Sequence, residues 1–269
     1  MLRRVPWGGL YFLVLTAFLY APILLLIVFS FNDSILLTFP LRGFTLRWYQ
    51  ALFEADALLG SVVNSLMVGV ASSLVATVLG TMAAIGVVRF RFPGRDAFLA
   101  LAGVPLVIPA IVLGVALLIL FRQLVDVQLS LWTIGLGHVV INIPIAMLIV
   151  ASRLIGFEDN LEEAAMDLGA GFWETQWRVT LPMSLPALLA AFLTCFTTSF
   201  DEYAMSVFLA GTDPTLPIYL YSQLRFPRRL PHVVTLAAVL MTLSIGVLFV
   251  AEWLRRSGER TSTAPEVTA

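Results

Sequence analysis

Asp159-Asn160-Leu161-Glu162-Glu163-Ala164-Ala165-Met166-Asp167-Leu168-Gly169 is a polar, acidic segment set between two long apolar runs. Asn160 suits an N-cap, and Glu163, three residues on, can return the bond as a capping box. Asp159 and Glu162 favour the positive end of a helix, and Gly169 supplies a left-handed C-terminal stop. Leu161, Ala164, Ala165 and Leu168 fall at helical spacing, so one face can pack while the other meets water or a partner. The spacing predicts a short helix over 160–169, lying outside a bilayer.

The surroundings of this segment supply the bilayer. Of the 269 residues, 59% are hydrophobic, and the mean hydropathy is +0.94, well above a soluble domain, in which about half of the residues are apolar. This composition is that of an integral membrane protein. Charge is nearly balanced at −1, which gives neither a basic field for nucleic acid nor an acidic tail. The single cysteine, Cys195, excludes an intrachain disulfide framework and sits in an apolar run as a small hydrophobe. All sixteen basic residues are arginine. A Walker A loop needs a lysine on the nucleotide phosphates, and a Schiff base needs a lysine amine, so neither is present. Any ATP that drives this protein is bound, with its magnesium, by another chain.

Uncharged runs predict an all-α, polytopic protein with six spans, over about 10–29, 61–88, 97–121, 129–152, 183–210 and 233–251. Residues 1–9 form a cytoplasmic N-terminus and 253–269 a cytoplasmic tail of disordered composition. The first run is longer than the ~7–15 residues of a signal-peptide core and lacks a small-x-small cleavage site, so it reads as a retained span. Phe31 to Gly60 and Gly211 to Pro231 read as loops, the former with aromatics suited to the interface. The second run is rich in Gly, Ala, Ser and Thr, which permits close helix contact where lipid offers no hydrophobic drive. Asn64 near its start reads as bonding a neighbouring backbone, with a path-lining role as the alternative. His138 in the fourth run reads as making an interhelical hydrogen bond rather than a metal or proton site, because no second histidine, cysteine or carboxylate lies at ligand spacing from it.

The distribution of arginine sets the orientation. With the amino terminus inside, the cytoplasmic segments hold Arg3, Arg4, Arg89, Arg91, Arg95, Arg153, Arg178, Arg255, Arg256 and Arg260. The other face holds Arg42, Arg47, Arg122, Arg225, Arg228 and Arg229. The excess favours both termini in the cytoplasm, which places the Glu163 helix there as well.

Glu163-Ala164-Ala165, three residues, Gly169, nine residues, then Val179-x-Leu181-Pro182 resembles the EAA loop of ABC-importer permeases, with Val where Ile is commonest. The resemblance implies the type I ABC-importer permease (MetI-like) fold and makes the 160–169 helix a coupling helix. Its ATPase-coupling residues would be Glu163, Ala164, Ala165, Gly169, Leu181 and Pro182. It further implies a bacterial inner-membrane location and three kinds of partner: a second permease, as a heterodimer, two copies of an ABC ATPase, and an extracytoplasmic solute-binding protein. On this reading the chain is not itself an enzyme and holds no cofactor or metal.

A carboxylate inside a span costs at least about 2.5–3.5 kcal/mol and calls for a reason. Asp201 and Glu202 are the only such pair, expected roughly 27 Å along the fifth span in a ~30 Å core. Thr194, Thr197, Thr198 and Asp201 share a helical face, and Glu202 extends it, a stripe able to line a substrate path. The alternatives are that the helix ends early and leaves the pair in a wet loop, or that an arginine of the Arg225 to Arg229 loop neutralises it. Ser199-Phe200-Asp201-Glu202 and Leu216-Pro217-Ile218-Tyr219 resemble the spermidine/putrescine class of permease, of the second-permease type. That resemblance implies import of a polyamine; related permeases carry iron, thiamine, opines or amino-acid derivatives. An ATP-independent secondary transporter or channel is the alternative that six spans and one acidic pair also allow.

Overall fold

The computed structural model describes residues 7–156 and 160–261. The N-terminal Arg3 and Arg4, Asp159 and the end of the tail lie outside the described residues, and so does the expected cap by the Asn160 side chain. In chain order the helices are α1 (Trp7–Ser30), α2 (Arg47–Phe53), α3 (Asp56–Arg89), α4 (Arg95–Val107), α5 (Ala110–Ile119) and α6 (Leu131–Ile155). Then follow α7 (Asn160–Asp167), α8 (Phe172–Thr175), α9 (Leu181–Asp201), α10 (Ser206–Leu209), α11 (Leu216–Leu224) and α12 (Leu230–Thr261). Among the described residues, five helices are long and apolar enough to cross a membrane, six if one bent pair counts as a span. The protein is therefore an all-α polytopic membrane protein.

The chain divides into two compact units, one of the ends up to Asp56 and from Leu220, the other from Ala57 to Tyr219. In the first unit α1 and α2 pack against α12. The Trp48 indole N–H donates to the Asn32 carbonyl at 2.9 Å, and the Ser30 and Tyr49 hydroxyls pair at 2.7 Å. The Thr235 hydroxyl of α12 reaches the carbonyl of Ser30, where α1 ends. These bonds satisfy polar groups where the chain leaves an apolar helix, as burial demands. Arg47 to Phe53, expected as loop, forms α2 because Trp48 and Leu52 fall four apart and bury together.

The second unit is built on α3. Its buried positions run Ser61, Ser65, Val68, Gly69, Ser72, Ser73, Ala76, Thr77, Gly80, Thr81, Ala84, a stripe of mostly small residues at spacings of three and four. Gly80 shows why size matters: a Cβ there would lie 2.6 Å from the Ala146 methyl and 2.8 Å from the Met147 nitrogen. Small residues thus bring α3 against α6, and van der Waals contact replaces the hydrophobic drive that lipid removes. Ala84, Ala146, Met147, Val150, Leu154, Ala191 and Cys195 form the core that α3, α6 and α9 share. A second core joins Val68, Ile134, Met205 and Leu209.

Several span boundaries differ from those expected. The run expected as one span over 97–121 is α4 and α5, bent by 104°. Ile108 is extended (ψ 129°) because Pro109 disfavours a helical residue before it, and Pro109 then opens α5. The fifth span starts earlier and stops sooner than 183–210: α8, a π-helical turn (Gln176–Thr180) and α9 run together over Phe172–Asp201. The wide turn ahead of Pro182 lets the helix pass a residue without an N–H. Thr180 lies within this continuous helix. The supposed loop over 211–231 contains α11, where Pro217 stands in the first turn.

Candidate functional site

Two regions of the second unit gather the residues singled out in the sequence: the segment from α7 to the start of α9, and the far end of α9. α7 carries Glu162 and Glu163 in its first turn, where carboxylates meet the positive helix end. Gly169 closes it at φ +92°, the left-handed conformation expected of it. Its N–H bonds the Met166 carbonyl at 2.9 Å, and the Ala170 N–H bonds the Ala165 carbonyl at 3.1 Å, which satisfies carbonyls left over at the helix end. Leu168 is 90% exposed, and Trp173 and Trp177 of the following helix are 73% and 70% exposed. A groove of about 340 Å³ is lined by Ala165, Leu168, Gly169, Ala170, Glu174, Thr175, Arg178 and Val179. Glu163 and Ala164 are exposed, Ala165 and Leu181 half-buried, and Pro182 exposed at the start of α9.

The two adjacent glutamates separate in role. Glu163 faces outward, while Glu162 is buried. Oε1 of Glu162 accepts from the Arg89 guanidinium at 2.9 Å and from the Thr180 hydroxyl at 2.9 Å. The same Arg89 nitrogen lies 3.4 Å from the Leu154 carbonyl oxygen in the last turn of α6. Sequence reasoning passed over this contact. Its only signals were an arginine ending one span and a second acid ahead of the motif glutamate, and neither indicates which residue turns inward.

At the other end, α9 stops at Asp201 and Glu202 turns extended (φ −73°, ψ 117°). The pair thus terminates a helix rather than interrupting one, which removes much of the cost expected of carboxylates inside a span. The Glu202 carboxylate accepts the N–H groups of Met205 and Ser206, both at 2.8 Å, and the Ser206 hydroxyl at 2.9 Å. It thereby holds the first turn of α10. His138 Nε2 lies 2.8 Å from the Ser206 hydroxyl and 3.7 Å from Glu202. On its other side His138 Nδ1 bonds the Ser199 hydroxyl, which pairs with Ser72 of α3 at 2.9 Å. Buried polar groups thus run unbroken from α3 through α9 and α6 to α10, which fits the interhelical bond expected of His138. Asn64 donates to the Pro214 carbonyl at 3.0 Å and Asn142 to the Cys195 carbonyl at 3.3 Å, both in structural roles.

Of the acidic pair, Asp201 is exposed and Glu202 is engaged by its own chain. Thr194 and Thr197 are exposed and Thr198 half-buried, and each returns its hydroxyl to the carbonyl four residues back. Such bonds let a hydroxyl face an apolar surface without an orphaned donor. Among the described residues, no three potential metal ligands converge.

Residues 76–259 match the family model described as the binding-protein-dependent transport system inner membrane component. The matched range contains both regions. The chain belongs to this family. It is 34% identical over 266 residues to the spermidine/putrescine transport system permease protein PotC of Escherichia coli K12, covering 98% of each chain. It is 35% identical over 265 residues to the putrescine transport system permease protein PotI of the same strain, covering 96% of this chain and 93% of that one. PotC of Haemophilus influenzae is 33% identical over 245 residues, covering 90% and 94%.

The fold agrees with two solved structures. One is a bacterial ABC transporter involved in the import of the acidic polysaccharide alginate, with TM-score 0.69 at 19% identity, covering 95% of this chain and 98% of that one. The other is the MetNI methionine ABC transporter in an inward-facing form, with TM-score 0.59 at 21% identity, covering 74% and 95%. The chain is the permease subunit of an ABC importer, a multi-pass component of the bacterial inner membrane. In that architecture hydrolysis belongs to an ATPase and first capture of solute to a binding protein. Family membership sets aside the ATP-independent transporter or channel.

Proposed function

We propose that this permease moves a polyamine, spermidine or putrescine, from an extracytoplasmic binding protein into the cytoplasm. The observation that carries the reading is likeness along nearly the whole chain to permeases named for spermidine and putrescine, at 34% and 35% identity. An exposed carboxylate at the end of α9 supports it, since a polyamine is a chain of protonated amines and Asp201 offers a counter-charge. Asp201, with Thr198 and Thr194 below it, lines the path; Glu202 shapes its mouth by fixing the turn into α10.

The coupling residues are Glu163, Ala164, Ala165, Gly169, Leu181 and Pro182. α7 is the coupling helix, seated in a groove of the ATPase on the cytoplasmic side, and both termini lie on that side. A second permease completes the path as a heterodimer, over two copies of the ATPase. Closure of the ATPases on ATP moves the coupling helices together and turns the cavity outward to receive solute.

Reconstitution of the permease pair with ATPase and binding protein in liposomes, followed by uptake of radiolabelled putrescine, tests the substrate. Uptake that needs ATP and is competed by spermidine is expected. Competition by ferric iron or thiamine, with none by spermidine, would sink the polyamine assignment and leave the importer itself intact.

A further inference from the structure

We infer that Glu162 and Arg89 form the joint through which movement of α7 reaches the membrane-spanning helices. The contact has the features of a joint rather than of a surface ion pair. Both side chains are largely buried, at 12% and 15% exposure, and the N–O distance is 2.9 Å. Low local dielectric and a charge-assisted bond make such a pair stiff, where an exposed pair is loose and screened.

Its connectivity is the second feature. Arg89 is the last residue of α3 and also reaches the Leu154 carbonyl at the end of α6, where a cation suits the negative end of both helices. Thr180, on the π-helical turn that leads into α9, donates to the same carboxylate oxygen as Arg89. One carboxylate oxygen on the first turn of α7 is thus tied directly to α3 and to the turn into α9, and through Arg89 to α6. These are the helices that share the apolar core around Ala84, Ala146 and Ala191. Glu163, one residue on, faces outward and is free to meet a partner. The Glu162-Glu163 dipeptide divides the work: the outer acid meets the ATPase, and the inner acid fastens the helix to the bundle.

The inference rests on α7 being the coupling helix. Glu162 and Arg89 touch neither solute nor nucleotide and are positioning residues. Removing the joint leaves ATP hydrolysis and uncouples it from the bundle.

The assembled importer in nanodiscs provides the test, with spin labels on Asp167→Cys at the end of α7 and Leu189→Cys on α9. Both sites are exposed, and the native thiol of Cys195 is buried and silent. With Glu162 intact, one narrow distance is expected, the same without nucleotide and with ATP and vanadate. Glu162→Gln broadens it once ATP is bound, and stimulation of hydrolysis by the binding protein falls at least about 5-fold, the lower end of typical coupling energies, while basal hydrolysis persists. The exchange Arg89→Glu with Glu162→Arg restores the narrow distance. Thr180→Val, which keeps the ion pair, shifts the same readings in the same direction and carries the test if Glu162→Gln fails to assemble. Unchanged distance and stimulation in these variants overturns the joint. Failure of Glu163→Cys to cross-link to the ATPase in the otherwise unaltered importer overturns the coupling-helix reading, and the joint with it.

Discussion

At the scale of single residues, position relative to a helix end decides what each carboxylate can do. Asp201 ends α9 exposed, whereas Glu202 spends its oxygens on the next turn. Asp201→Asn is therefore expected to leave the permease assembled while raising the KM for putrescine by about tenfold, as the loss of roughly 1.4 kcal/mol of charge-assisted binding requires. Unchanged uptake kinetics would rule Asp201 out of the path. Glu202→Ala should instead destabilise, by about 1–3 kcal/mol per buried N–H left without an acceptor, and lower the yield of folded protein in detergent. Gly169 differs from both, because its need is conformational. At φ +92° a β-branched side chain is strained, so Gly169→Val should cost about 1–2 kcal/mol locally and weaken ATPase co-purification.

At the scale of elements, the prediction concerns contact between helices. α3 approaches α6 across Gly80 with no room for a methyl group. Gly80→Leu should separate the two and destabilise the bundle by at least about 1–3 kcal/mol, measured as a lowered midpoint of thermal inactivation. The same substitution at Gly86, where an added Cβ meets nothing within 4 Å, should be tolerated. These elements also show what sequence can and cannot convey. Glu163, Ala164, Ala165 and Gly169 are readable as a helix with a glycine stop because a left-handed stop is local chemistry. The small-residue face of α3 is readable because its period is local too. The break at Pro109 was not read: prolines are tolerated in membrane helices, and Pro105 and Pro144 sit inside helices of this same chain. The end of α9 at Asp201 is an alternative that the sequence leaves open without selecting it, since Tyr203 to Ala210 is as apolar as a span but folds back onto Ile134 and Leu113 as core. The partner of Glu162 lies 73 residues away, and a hydrogen bond at that separation leaves no local trace.

At the scale of the whole molecule, the chain has the proposed role of a transmission. It carries no lysine for a Walker A loop, and its family supplies the membrane component of a system whose hydrolysis happens elsewhere. The chain carries a short acidic helix, α7, beside one end of α9 and a pair of carboxylates, Asp201 and Glu202, at the other. The core that α3, α6 and α9 share joins the small Ala84, Ala146, Ala191 and Cys195 with Met147, Val150 and Leu154, and close packing of this kind transmits strain. This account requires α7 to lie on the side of the membrane where ATP is hydrolysed.

The most direct test is the sidedness of Glu163→Cys, assayed with a membrane-impermeant maleimide, since the only native cysteine is buried. With α7 on the cytoplasmic side, intact spheroplasts stay unlabelled, lysed ones are labelled, and bound ATPase protects the site. Labelling of intact spheroplasts would put the helix on the outer face and contradict the account at its centre.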